Sequence, residues 1–254
     1  MVHDSRRSEA ATVSQGPSEA LVDVPVPRAP SWWGQVWLVL RKDLAIEART
    51  GEVTVTTGFF AVLVVVLASM SFFGGPAAGR VVVSGVLWLS IAFAAVLALG
   101  RSWAREREEG ALQGLLVTPL RPSALYAGKA AGLLAFLFAV EIVVFPLAAL
   151  FFSVDLFDRG FGLLAIAAVA TPGISASGTL FGAMTVRTRA RDLILAIILF
   201  PLLAPTLLTA VAATREVLQG VPVDQLGDYF RLMAVFNLTF VVGGLALFGS
   251  LLEG

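Results

Sequence analysis

The sequence predicts an all-α membrane protein: six transmembrane helices preceded by an amphipathic helix lying in the membrane interface. Three observations carry that reading. First, 57% of the 254 residues are hydrophobic and only 14% charged, with a mean hydropathy of +0.87, more apolar surface than a soluble domain of this size can hide. Second, apolar runs with few or no charges reach the roughly 20 residues that a helix needs to cross a bilayer core about 30 Å thick. Six such runs occur, at about 54–73, 81–100, 127–152, 161–184, 193–214 and 230–252. They are continuous, not alternating, so helices that satisfy their own backbone are preferred to a barrel. Third, the basic residues are segregated. Fourteen of the 18 Lys and Arg fall in the tail, before the first span, and in the second and fourth connections; Arg80, Arg159, Arg215 and Arg231 fall on the other side. Positive residues resist translocation, so both termini are expected to be cytoplasmic.

The chain divides into a tail over 1–30, a helical segment over 31–52 and a six-helix transmembrane domain over 53–254. The tail carries Ser, Glu, Asp, Arg and a Val-Pro-Val-Pro run from Val24 to Pro27, without the apolar core of a signal peptide. It reads as disordered. In the next segment Trp33, Trp37, Leu40 and Leu44 recur at helical spacing, with Arg41, Lys42, Glu47 and Arg49 largely off that stripe. Three tryptophans at this position suit the headgroup layer. A soluble helix packed on the rest of the protein is the alternative.

Several function classes are disfavoured by what the chain lacks. Lys plus Arg and Asp plus Glu both total 18, so net charge points to no nucleic acid or acidic substrate. Without cysteine there is no disulfide, thiolate metal site or cysteine nucleophile. No Walker-type phosphate loop, HExxH or usable GxSxG is present, and the single histidine, His3, lies in the tail. An enzyme is therefore not expected. Neither is a haem or metal ligand contributed by histidine.

The most unusual connection runs from Arg101 to Pro122, charged in its first half and apolar in its second. As a helix, Arg105 reaches Glu108 and Glu109, while Gly110 weakens it. A break there leaves Leu112, Leu115, Leu116 and Val117 as an apolar knob stopped by Pro119, suited to a groove on a partner. A loop that merely anchors topology is the plainer reading. Glu141 sits near the middle of the third span, where a charged carboxylate costs about 2.5 to 3.5 kcal/mol on insertion scales. It must face protein or water, either as a coupling or partner-contact residue or as a structural hydrogen-bonding group. A single carboxylate without a basic partner makes a poor ion or proton relay. Gly128 with Gly132, and Gly178 with Gly182, form small-xxx-small pairs that permit close helix packing. Pro146, Pro172, Pro201 and Pro205 should kink their spans. Arg187, Arg189 and Arg191 with Asp192 form a basic patch that either meets a partner or anchors topology.

The stretch Arg105-Glu106-Arg107-Glu108-Glu109-Gly110 through Leu120, followed by Gly128-Lys129, resembles the coupling segment of type-2 ABC exporter permeases. More narrowly, the chain from about residue 35 to 254 resembles the CcmB family. The resemblance is carried by Arg41-Lys42-Asp43-Leu44, Arg101-Ser102-Trp103-Ala104 and the acidic-basic run after it, Val140-Glu141 with Pro146, Gly178-Thr179-Leu180-Phe181, Thr188 to Arg191, Pro201 to Pro205 and Ala213-Thr214-Arg215. Each segment is weak alone; their number and order are specific. The long tail departs from the usually short CcmB terminus.

The resemblance implies the permease subunit of a haem-export complex for cytochrome c maturation in a bacterial inner membrane. Its implied partners are a CcmA-like ATPase, CcmC-like and CcmD-like membrane proteins and a CcmE-like haem chaperone, in addition to membrane lipids. ATP and haem would then be held by those partners, with no cofactor bound directly by this chain. It also implies that ATP hydrolysis drives release of the haem-loaded chaperone. A general type-2 export permease for lipid, drug or glycan, and a non-transporting membrane scaffold, are the alternatives.

Overall fold

The computed structural model describes residues 30–71, 75–108, 120–185 and 191–253. Its described residues are helical almost throughout. The helices are α1 (Trp32–Thr50), α2 (Glu52–Ser71), α3 (Gly75–Glu108), α4 (Pro122–Phe152), α5 (Leu156–Thr185), α6 (Arg191–Gln219) and α7 (Gly227–Glu253), with a 3-10 turn, Val223–Leu226, leading into α7. Six of them are long and apolar enough to cross a membrane, with candidate spans Glu52–Ser71, Val82–Ala104, Pro122–Phe152, Phe157–Met184, Ile197–Gln219 and Val223–Leu251. The fold is that of an all-α membrane protein.

Local chemistry explains the ends. The Ser31 hydroxyl accepts from the Gly34 amide at 3.3 Å to start α1. Gly51 stops it at φ 60°, donating its amide to the Glu47 carbonyl, a left-handed cap that glycine adopts without strain. The chain then restarts at once as α2, whose Thr54 amide donates to the Glu47 carboxylate at 2.7 Å. Glu47 thus joins the two helices across the bend. Pro122 opens α4 at a position where its missing amide costs nothing.

Helices α3 and α5 form the centre of the bundle, 67% and 72% of their spans being buried, whereas α2 and α7 are peripheral at 22% and 17%. The core between them includes Trp88, Ile91, Leu137, Ile166, Ile174, Leu199 and Phe248, all essentially inaccessible. Outside, Val55, Phe59, Leu67 and Met70 on α2 and Leu232, Val235, Leu238 and Val242 on α7 are exposed. In a lipid-soluble fold that arrangement is the expected one, because acyl chains solvate apolar side chains as well as protein does. Polar bonds then stitch the interior: Trp88 Nε1 donates to Thr214 Oγ1 at 2.8 Å, joining α3 to α6. The Tyr126 hydroxyl lies 3.1 Å from the Ala176 carbonyl and 3.0 Å from that of Phe240, directing its proton between α5 and α7.

Two boundaries differ from the sequence expectation. Helix α3 continues past Gly100 through Arg101 to Glu108, and α4 begins at Pro122 instead of near 127, so Lys129, counted with the second connection for orientation, lies about two turns inside a helix. Charge ended the apolar runs, but helical propensity did not end with them: Arg, Ala and Glu are good helix formers. At about 1.5 Å per residue α3 is roughly 50 Å long, well beyond the bilayer core.

Candidate functional site

Helix α1 lies against the start of α4, and the small residues there explain how it can. A Cβ added at Gly128 would fall 2.6 Å from Val39 Cβ and 3.0 Å from the Val36 carbonyl oxygen; one at Gly132 would make ordinary contact with Asp43 Cβ at 3.7 Å. Gln35 and Val39 are buried in this seam. Side-chain bonds fix it further. Trp32 Nε1 donates to Ser123 Oγ at 3.0 Å, and the Arg121 amide donates to Gln35 Oε1 at 2.9 Å. On the opposite side of α1, Trp33 is 75% and Trp37 62% exposed. One stripe of the helix therefore packs on protein while the tryptophan stripe faces outward.

Further along the seam is an ionic cluster. Lys129, almost fully buried, places its Nζ 3.0 Å from Asp43 Oδ2 and 5.6 Å from the centre of the Trp103 ring. Lys42 Nζ lies 3.1 Å from Asp43 Oδ1, so one carboxylate bridges two ammonium groups. A buried cation persists because it is paired and because the aromatic face adds attraction. Nearby, Arg101 donates to Glu52 at 2.6 Å, tying α3 to the start of α2; this exposed pair contributes little to stability.

The other small-residue pair receives α3. A Cβ at Gly178 would come within 2.6 Å of Leu99 Cδ1, and one at Gly182 within 2.5 Å of Trp103 Nε1. Thus Trp103 sits between Gly182 of α5 and Lys129 of α4. Together these contacts brace both ends of the 109–119 segment: α3 through Trp103 and Arg101, and α4 through Arg121 and Lys129. Of the residues assigned to that segment from sequence, Arg105 and Glu106 lie on the last turns of α3. Glu109, Gly110, Leu112, Leu115, Leu116 and Pro119 lie outside the described residues, as do His3, Arg187 and Arg189.

Glu141 is 4% exposed and accepts a 2.5 Å hydrogen bond from the Thr171 hydroxyl, which joins α4 to α5 at mid-membrane. One helical turn on, Ser175 Oγ donates to the Ala130 carbonyl at 2.5 Å. Pro172 lies between them, and Asn237 of α7 donates to the Val169 carbonyl at 2.5 Å in the turn preceding it. Pro172 has no amide to serve the Ala168 carbonyl, and the Asn237 bond to the adjacent Val169 carbonyl ties α7 to α5 beside that break.

Sequence reasoning singled out Glu141 and the four glycines but missed Asp43, Trp103, Thr171 and Asn237. Asp43 and Trp103 stood within segments read for topology or likeness. Their pairing with Lys129 depends on how α1 and α3 fold onto α4, which no local spacing encodes.

Six apolar spans, a polar seam between central helices and an ion-paired α1 define a multi-pass α-helical membrane protein. The chain belongs to the CcmB family: the family profile described as CcmB protein matches residues 34–251. It is similar to the Heme exporter protein B of Bradyrhizobium diazoefficiens, at 30% identity over 224 residues that cover 85% of this chain and 96% of the relative. It is also similar to the Heme exporter protein B of Rhodobacter capsulatus, at 29% identity over 73% of this chain and 85% of the relative. That of Paracoccus denitrificans is 30% identical over 70% and 81%.

Proposed function

We propose that this chain is the permease subunit of an ATP-driven haem-export complex, and that it couples ATP hydrolysis on a CcmA-like partner to release of a haem-loaded, CcmE-like chaperone. The membership in a family whose relatives are named heme exporters carries this reading, since the match spans 34–251 and so includes the 105–119 segment. The chemistry agrees with it. A subunit that transmits force needs stiff helices and a docking knob, and it needs no haem ligand or nucleotide loop of its own. ATP and haem would reside on the partners, with CcmC-like and CcmD-like proteins beside this chain in the membrane.

In this reading Arg105, Glu106, Glu109, Gly110, Leu112, Leu115, Leu116 and Pro119 form the surface that meets the ATPase. Motion there passes to α3, a helix long enough to reach beyond the bilayer, and to α4. Glu141 then acts as an intramembrane coupling or partner-contact group between α4 and α5. The charge distribution supports cytoplasmic termini in a bacterial inner membrane.

The test is a detergent pull-down of the tagged chain against a variant carrying Arg105→Ala, Glu109→Ala and Leu115→Ala. Wild type is expected to bring down an ATPase and a haem-handling membrane protein, and the variant to lose the ATPase. An ATPase without a haem protein would favour a general exporter. Absence of any ATPase, with the fold intact, would leave a membrane scaffold as the better account.

A further inference from the structure

Where α1 crosses α3, α4 and α5 there is a cleft of about 90 Å³, enough for a small polar group or several waters. Its polar lining includes Lys42, Asp43 and Glu47 of α1, Ser102 of α3, Lys129 of α4 and Thr179 of α5, and its apolar wall includes Leu99, Leu133 and Phe136. We propose that this cleft binds the headgroup of a zwitterionic, primary-amine glycerophospholipid, of the phosphatidylethanolamine kind. The proposal rests on α1 lying in the headgroup layer.

Three observations lead to that ligand. Thr179 is 1% exposed, and its Oγ1 has no hydrogen-bond partner among the described residues. A helical threonine ordinarily returns its hydroxyl to a carbonyl of the preceding turn. Here the residue lines the cleft while its oxygen stays unbonded, so a turn about χ1 would present the hydroxyl to a ligand. The charged lining is balanced, with two ammonium groups and two carboxylates, which favours a ligand carrying both signs over an anion. Asp43 pairs with both ammonium groups and Glu47 accepts from the Thr54 amide, so the ligand would add to these contacts, its phosphodiester beside Lys42 and Lys129 and its ammonium beside Asp43 and Glu47. Finally, polar and apolar walls meet at this site, Lys42, Asp43 and Lys129 across from Leu99, Leu133 and Phe136, which suits an amphiphile whose acyl chains remain in the bilayer. A primary ammonium can donate hydrogen bonds to the carboxylates and Thr179, whereas a trimethylammonium has no proton to give. That difference defines the expected selectivity.

The tagged full-length chain, with the partners that co-purify, is reconstituted in vesicles of equal parts phosphatidylethanolamine, phosphatidylcholine and phosphatidylglycerol, then extracted, and its retained lipid measured by native mass spectrometry. Retention of the ethanolamine lipid over the choline lipid is expected at roughly tenfold, the ratio that one charge-assisted hydrogen bond supports. Lys42→Gln, Glu47→Gln and Thr179→Val should each reduce it severalfold in variants that keep a cooperative unfolding transition. Equal retention of the two zwitterionic lipids, a preference for phosphatidylglycerol, or unchanged retention in folded variants would each overturn the site. The wild-type comparison needs no variant to fold. The placement of α1 is read separately, from quenching of a fluorophore on Leu38→Cys by brominated lipid, which is clean because the chain has no cysteine. Quenching with equal lipid retention would sink the lipid site alone; no quenching would remove the placement as well.

Discussion

Glu141 is tolerated in the membrane because one partner is well placed: Thr171 Oγ1 donates to it at 2.5 Å from the neighbouring helix. Replacing the carboxylate by an amide keeps an acceptor oxygen of the same reach. Glu141→Gln is therefore expected to leave expression, assembly and thermal unfolding close to wild type. Glu141→Ala removes that acceptor and leaves space behind, so it should cost about 1 to 3 kcal/mol, read as a lower midpoint in detergent unfolding. Under the proposed role, the glutamine variant assembles yet matures less cytochrome c. Full maturation by an assembled glutamine variant would confine Glu141 to holding α4 and α5 together. The presence of a constrained carboxyl was legible in the sequence, as an acidic residue amid apolar ones. Its partner was not, since Thr171 lies thirty residues away and is one of many hydroxyl side chains on α5.

Helix-to-helix fit depends on the backbone surface each glycine leaves open. At Gly128 the added methyl of an alanine meets Val39 Cβ and a backbone oxygen of α1, neither of which can swing away. At Gly178 the obstructing atom is the end of a leucine side chain, which can rotate. Gly128→Ala should accordingly displace α1 and cost about 1 to 3 kcal/mol, while Gly178→Ala costs less. Gly85→Ala, with nothing within 4 Å, serves as the reference substitution on α3. Thermal unfolding in one detergent would rank the three, and equal midpoints for Gly128→Ala and Gly85→Ala would refute the close α1–α4 approach. Small-xxx-small spacing is a local pattern, so the sequence alone points to close packing at both pairs. It does not say what packs there, and the answer differs between the pairs: α1 at Gly128 and Gly132, α3 at Gly178 and Gly182.

Across the whole molecule, the proposed orientation puts the α1–α2 bend on the cytoplasmic side and the turn before α7 on the other. Ala48 and Gln225 are exposed at these two ends. In the cysteine-free background, Gln225→Cys should react in intact cells with a membrane-impermeant maleimide, and Ala48→Cys only after permeabilisation. The reverse pattern would invert the topology. The number and order of spans, their helical character and the charge asymmetry were all readable from the chain. Each is a local or summed property: a run of apolar residues meets the length of a bilayer, and lysine and arginine count by loop. The family likeness was readable for a similar reason, as an ordered set of short segments. Three-dimensional arrangement decided the remainder. It set α3 and α5 at the centre and α2 and α7 at the edge, although all are apolar, because hydropathy does not distinguish a neighbour helix from lipid. It also moved Lys129 from the role of a topology marker to that of a buried cation between Asp43 and Trp103. That environment is assembled from three helices distant in sequence, so only their packing could create it.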